Sequence, residues 1–420
     1  MFKYGNSGFV KREFSKHSSL LKEEIDKISK TKMYQNPRGF VNLPADSKYV
    51  NRVKAVIREK QKLNPSLVVV IGIGGSNLGA QAVVEAVFGK KQINLNPKIL
   101  FADTVDPDDL KPCLGIAEKI LKADKNIILN VISKSGTTTE TIANFEIFLD
   151  LLSKYKIPTP YVVVTSDKDS KLWAYGKKHR FSLLEVPKNV GGRFSVFSAV
   201  GLFPLGMLGI DLDDFLLGAK DMVKNCLNKS LLDNPAAVNA FVIYQNFLNN
   251  KIIYDTFLFS KDLEYLGKWY RQLLGESIGK NSKVGITPTV SIGTIDLHSV
   301  AQLYLAGPDD KLTNFVKTRF NAEISLPKIK EFDKLVKNIQ GIKLSKIMDA
   351  VYKGTILAFK KHKRSFTETV LPDKTPYSIA AFMQWKMIEI VLLARLLNVN
   401  AFNQPNVESY KKETRKLLRK

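Results

Sequence analysis

Leu67-Val-Val-Val-Ile-Gly-Ile73 runs for seven residues without a polar side chain. A strand with one face in water alternates apolar and polar residues. A strand that is apolar throughout must be covered on both faces, and a parallel sheet between two helical layers does this. A glycine turn and a helical pattern at 80–88 follow. Further strands are expected at 98–102, 126–132 and 161–165, separated by helical stretches. Strands alternating with helices build a doubly wound parallel sheet, which takes its ligands at the carboxyl ends of the strands. A mostly helical lead, 14–60, comes first. Beyond Asp211 a second series begins, with strands at 251–260, 284–292 and 314–320. Helices are expected at 261–274, 296–305, 344–361 and 378–397. No linker rich in Pro, Gly or Ser divides the two series. The expected organisation is a helical N-terminal segment (1–50), two α/β domains packed tightly together (51–211 and 212–400), and a C-terminal tail (401–420).

The composition excludes several classes. Two cysteines, Cys113 and Cys226, supply neither a disulfide framework nor a Cys-based zinc site. The four histidines, His17, His179, His298 and His362, do not fall at metal-ligand spacing. The uncharged run 195–210 is shorter than the roughly 20 residues of a membrane span and contains Pro204. Net charge is +24, with the lysines spread along the chain and mixed with acids. No aromatic-plus-basic module of a nucleic-acid reader accompanies them. The N-terminus lacks the apolar stretch of a signal peptide. These features lead us to expect a cytoplasmic protein with no metal, and neither nucleic acid nor membrane as partner.

Four constellations carry possible chemistry. The stretch 126–141 passes from an apolar strand into Ser133-Lys-Ser-Gly-Thr-Thr-Thr-Glu-Thr141 and then into a helical pattern. One hydroxyl suffices to cap a helix; six in nine residues at the positive end of a helix dipole suit a phosphate. The turn Gly72-Ile-Gly-Gly-Ser-Asn-Leu-Gly79 breaks the dinucleotide fingerprint at Asn77 or Ser76, and no nucleotide-triphosphate loop is present. It leaves Gly75 and Ser76 near a small anion. Both loops follow neighbouring strands, so both open onto one crevice, and together they fit a phosphate monoester. Val190-Gly-Gly-Arg-Phe-Ser195 brings backbone close and offers the Arg193 guanidinium to a developing oxyanion. Gln272–Lys280, His298 and Phe402–Lys411 complete the set, with Glu276 at a helix end where a carboxylate can act as a base.

These stretches together resemble the glucose-6-phosphate isomerase family. The matching residues are 71–76, 133–141, 190–195, 275–280, His298 and 402–411, in the family's order and across nearly the whole chain. The resemblance implies two SIS-type α/β domains, a homodimer with its site between domains and subunits, no cofactor, and a place in glycolysis and gluconeogenesis. It makes Glu276 the base that moves a proton between C2 and C1 of a hexose 6-phosphate, and Arg193 the group that stabilises the cis-enediolate. His298, reaching over from the partner subunit, and Lys411 would assist ring opening. Gly75, Ser76, Ser133, Lys134, Ser135 and Thr138 would hold the phosphate, Gln272 and Gln404 the sugar hydroxyls, and Glu140 would orient the loop. The chain departs from the family pattern at Asn77, where Asp is usual. It also departs at Pro405-Asn406, where a large residue and Gly are usual. Neither change removes a group the chemistry requires. The alternatives are another SIS-type sugar-phosphate isomerase and a sugar-phosphate sensor without the base.

Overall fold

The computed structural model describes residues 2–3, 7–92 and 95–418. Its strands in chain order are β1 (Phe2–Lys3), β2 (Pro65–Ile71), β3 (Lys98–Ala102), β4 (Asn126–Ile132), β5 (Val162–Ser166), β6 (Ser182–Glu185), β7 (Ile253–Leu258), β8 (Thr287–Ile292), β9 (Lys311–Lys317) and β10 (Phe366–Val370). They form two five-stranded sheets, ordered β3-β2-β4-β5-β6 and β1-β10-β9-β7-β8. All neighbours are parallel except β1, which pairs antiparallel with β10 at an edge. The expected α/β class with two parallel sheets is what the chain forms.

The apolar run on β2 does what its composition requires. Leu67 to Ile71 are fully buried, and alternate residues enter opposite cores. Val68 and Val70 pack with Ile128 and Val163 on one face, while Leu67, Val69 and Ile71 pack with Ile127, Leu129 and Val131 on the other. The first of these cores extends to Tyr254, Leu258 and Leu312 of the second sheet and to the helix Pro376–Leu396. The two sheets therefore share a core.

Several boundaries differ from the sequence reading. The strand expected at 314–320 is β9, three residues earlier, because Leu312 is the buried partner of the core and the chain has left the sheet after Lys317. The strand expected at 161–165 begins at Val162, since Thr159–Tyr161 form a 3-10 turn. Neither β6 nor β10 is expected from the sequence. β10 reads Phe-Thr-Glu-Thr-Val and looks polar, yet Thr367 and Thr369 both donate to Asn314 Oδ1 on β9, each at 3.0 Å. The helix expected at 296–305 is a 3-10 turn, Ile295–His298, and a short helix, Ala301–Ala306. The helical lead is broken by a 3-10 stretch, Pro37–Ala45, bounded by its own prolines.

Two consequences of this topology position the site. β2 sits between β3 and β4, so the winding direction reverses there and a crevice opens at the carboxyl ends of β2 and β4. The helix Glu264–Ile278 follows β7 of the second sheet, and its C-terminal end reaches the first sheet's turns at Gly74–Ser76 and Gly192–Phe194. The Pro376–Leu396 helix carries a fully buried ion pair, with Lys386 Nζ 2.8 Å from Glu389 Oε2. Glu389 also accepts from Tyr270 of the Glu264–Ile278 helix and from Asn239, both at 2.7 Å.

Candidate active site

The loop after β4 is shaped by its own hydroxyls. Thr138 is the N-cap of the helix Thr139–Ser153, yet its side chain makes no capping bond. Its hydroxyl instead meets the Ser133 hydroxyl at 2.9 Å. Ser133 Oγ also accepts the Gly136 N–H at 3.2 Å, and Ser135 Oγ accepts the Thr137 N–H at 3.4 Å. Gly136 lies at φ +68°, and a side chain there would run into Ser170 and Leu172. With the usual cap spent inside the loop, the first N–H groups of the helix stay open to an anion at the positive end of the dipole. Lys134 Nζ donates to the Val190 carbonyl at 2.9 Å. Burial lowers the pKa of this ammonium, while Asp167 opposes the shift.

The glycine turn after β2 lies against the Gly192–Phe194 turn. A Cβ on Gly75 would overlap the Gly192 carbonyl carbon and sit 2.7 Å from the Arg193 nitrogen. Only glycine allows that approach, and it brings the anion turn and Arg193 together.

Arg193 is 4% exposed and uses all five of its N–H donors. Nε donates to Ser277 Oγ at 2.8 Å, and Nη1 to Glu276 Oε2 at 3.0 Å and Gln404 Oε1 at 2.6 Å. Nη2 donates to the carbonyls of Ala401 at 2.6 Å and Asn403 at 3.3 Å. Burial lowers its pKa, and the Glu276 carboxylate opposes the shift. The other oxygen of Glu276 accepts from Gln272 Nε2 at 2.9 Å, one helical turn earlier. Gln272 Oε1 is buried with no hydrogen-bond partner among the described residues. A buried acceptor without a donor is costly, and a substrate hydroxyl would satisfy it.

These groups line one cavity of about 610 Å³. Gly75, Ser76, Lys134, Ser135, Thr138, Arg193, Gln272, Glu276, Gln404 and Lys411 all face it, as does Glu140. Two residues from the sequence reading do not. Ser133 is buried beneath the loop it shapes, and His298 is exposed at the end of the 3-10 turn Ile295–His298, outside the cavity wall. Lys411 lies on the helix Val407–Leu417 and pairs with Glu408 at 2.9 Å. The sequence reading missed Asp167, Asp169 and Ser170, which enter the wall just beyond β5. The strand-end rule that located the other loops points to them too, once β5 is seen to pair with β4. Among the described residues no group of three or more metal-ligating side chains occurs, and no helix is long and apolar enough to cross a membrane.

A crevice at the switch point of a parallel sheet, a loop that leaves helix N–H groups open, and a carboxylate held beside a buried guanidinium suit an α/β enzyme of the phosphosugar-isomerase type. The comparisons agree. The sequence profile of the family described as phosphoglucose isomerase matches residues 58–301. A protein of Methanocaldococcus jannaschii named glucose-6-phosphate isomerase is 35% identical over 359 residues, 84% of each chain. One of the same name from Carboxydothermus hydrogenoformans is 32% identical over 90% of this chain and 84% of its own. A crystal structure of a hypothetical protein from Thermus thermophilus superposes at TM-score 0.88 with 29% identity, covering 100% of this chain and 99% of that one. The fold of a Chlamydia trachomatis glucose-6-phosphate isomerase is also shared, at TM-score 0.80 and 20% identity, over 97% of this chain and 84% of that one. This chain belongs to the phosphoglucose isomerase family.

Proposed function

We propose that the chain interconverts glucose 6-phosphate and fructose 6-phosphate through a cis-enediolate, in glycolysis and gluconeogenesis. The observation that carries the proposal is Glu276 in the same cavity as the phosphate-type loop, ionically paired with Arg193 and flanked by the unpartnered Gln272 oxygen. Removing the weakly acidic proton α to a carbonyl needs a placed base and a cation beside the nascent oxyanion. Glu276 takes the proton from C2 and returns it at C1. Arg193 is held on several sides, so its charge is oriented before the oxyanion forms. Gly75, Ser76, Lys134, Ser135 and Thr138 hold the phosphate, with Ser133 folding the loop. That remote grip orients a small reacting end that offers few contacts of its own. Gln272 and Gln404 receive the sugar hydroxyls, and Lys411 assists ring opening.

His298 belongs to this reading as a residue given to the partner's cavity. Its exposed position fits such a role. Ile295, Ile324, Phe332, Leu335 and Val336 are all exposed, the last four on an excursion between β9 and the helix Leu344–Lys361. Exposed apolar residues on one excursion of the chain suit contact with a second copy.

The direct test is conversion of fructose 6-phosphate, followed by coupled oxidation of the glucose 6-phosphate formed. Turnover is expected, and none would contradict the proposal. A sugar-phosphate sensor would bind hexose 6-phosphate without turning it over. Lys134→Met should weaken inhibition by inorganic phosphate about tenfold, since a hydrogen bond from a charged donor contributes about 1.5–3 kcal/mol. kcat should change less than KM, because the phosphate is held equally in ground and transition states. An unchanged inhibition constant would remove Lys134 from the phosphate site.

A further inference from the structure

The sequence reading gives Lys280 no role of its own, yet this residue links the helix that carries Glu276 to the C-terminal segment. It stands two residues beyond the helix Glu264–Ile278, and its Nζ donates to the backbone carbonyl of Glu276 at 2.7 Å. That carbonyl is in the last turn, where a helix leaves acceptors unsatisfied. The same ammonium donates to the Asn403 carbonyl at 2.5 Å, and Arg193 Nη2 converges on that carbonyl at 3.3 Å. Arg193 also takes the Ala401 carbonyl and the Gln404 side chain. Two cations therefore strap residues 401–404 to the end of the helix that carries Gln272 and Glu276. The chain then passes through Pro405 into the helix Val407–Leu417, which presents Lys411. Upstream, Ala401 and Phe402 pack against the core, but residues 403–406 and most of the helix are exposed, and no residue of that helix is buried.

We infer that Lys280 is a positioning residue whose ammonium ties the C-terminal strap to the catalytic helix and so sets Gln404 and Lys411 against Glu276. The placement of those two groups rests on the function proposed above, but the tie itself does not. The charge on the tie is conditional. Burial and the neighbouring Arg193 guanidinium push the Lys280 pKa down to about 8, with Glu276 opposing. Residues 401–406 carry no ionisable side chain, so no other charge on the strap offsets this. As pH rises through about 8 the ammonium becomes an amine, and hydrogen bonds from a neutral donor are roughly half as strong. The strap should loosen over that interval.

Hydrogen exchange of the ligand-free protein tests this without substrate. At pH 7, Lys280→Met should speed exchange at amides of 402–417 by about tenfold, while the Pro376–Leu396 helix keeps its protection. After correction for intrinsic rates, the wild type should lose protection in 402–417 as pH rises through 8, so that its difference from Lys280→Met shrinks. Equal exchange in the two proteins at pH 7, or a wild-type protection that stays flat from pH 7 to 9, overturns the inference. The wild-type pH series stands even if the variant fails to fold. In kinetics, kcat/KM should fall on the alkaline side with a midpoint near 8, and Lys280→Met should lack that limb. A protein with no turnover would defeat the isomerase reading while the exchange result still decides the role of Lys280.

Discussion

Glu276→Gln should lower kcat for hexose 6-phosphate isomerisation by about 10²–10⁴, the usual value of a positioned general base. The amide keeps the shape of the side chain and an oxygen that accepts from Arg193, so the cavity should survive. Four of the five Arg193 hydrogen bonds do not involve Glu276. KM should therefore move little, because the phosphate grip lies on other loops. A loss confined to kcat marks a group that acts in the transition state. Activity within tenfold of wild type would show that another residue abstracts the proton.

The second large effect is on stability. Glu389→Leu should destabilise the fold by about 3–5 kcal/mol, the usual consequence of removing one partner of a buried pair. Lys386 and Glu389 are both fully buried. The ammonium lies 3.8 Å from the centre of the Trp385 ring and 5.0 Å from that of Tyr270, which soften its charge but cannot replace a carboxylate. Burial already lowers the Lys386 pKa, and Glu389 is what opposes the shift. Urea denaturation should show a lower midpoint at unchanged slope. The double variant Lys386→Met/Glu389→Leu should lose less than Glu389→Leu alone, because no unpaired ammonium is left behind. Tyr270 and Asn239 would still lack their acceptor, so recovery stays incomplete. A Glu389→Leu loss below about 1 kcal/mol would mean that water or another group reaches Lys386.

Part of this could be read from the chain because it depends on local chemistry. The apolar run on β2 required a sheet covered on both faces, and the hydroxyl surplus after β4 required more than a cap. Thr138 spends its hydroxyl on Ser133 and leaves the helix start uncapped. What the sequence hid depends on pairing across distance. β10 looks polar because its threonines are satisfied by Asn314, which lies 53 and 55 residues away. Arg193 can be read from its glycine turn as a group for a developing oxyanion, but what holds it cannot. Its five hydrogen bonds go to the second sheet's helix and the C-terminal segment, which no local pattern links to residue 193. Lys280 is silent in the sequence for the same reason, since the carbonyl it holds is 123 residues further on. His298 marks the other limit, because it lies outside the cavity that its sequence motif points to.

Proton transfer by Glu276 is tested most directly by running the reaction in D₂O. Fructose 6-phosphate is incubated with the protein, and the glucose 6-phosphate formed is examined by proton NMR for deuterium at C2. A carboxylate that carries the proton exchanges it with solvent during its lifetime, so deuterium at C2 is the expected result. Interconversion that leaves C2 free of deuterium even after many turnovers would mean that hydrogen moves directly from carbon to carbon, and would contradict Glu276 as the base.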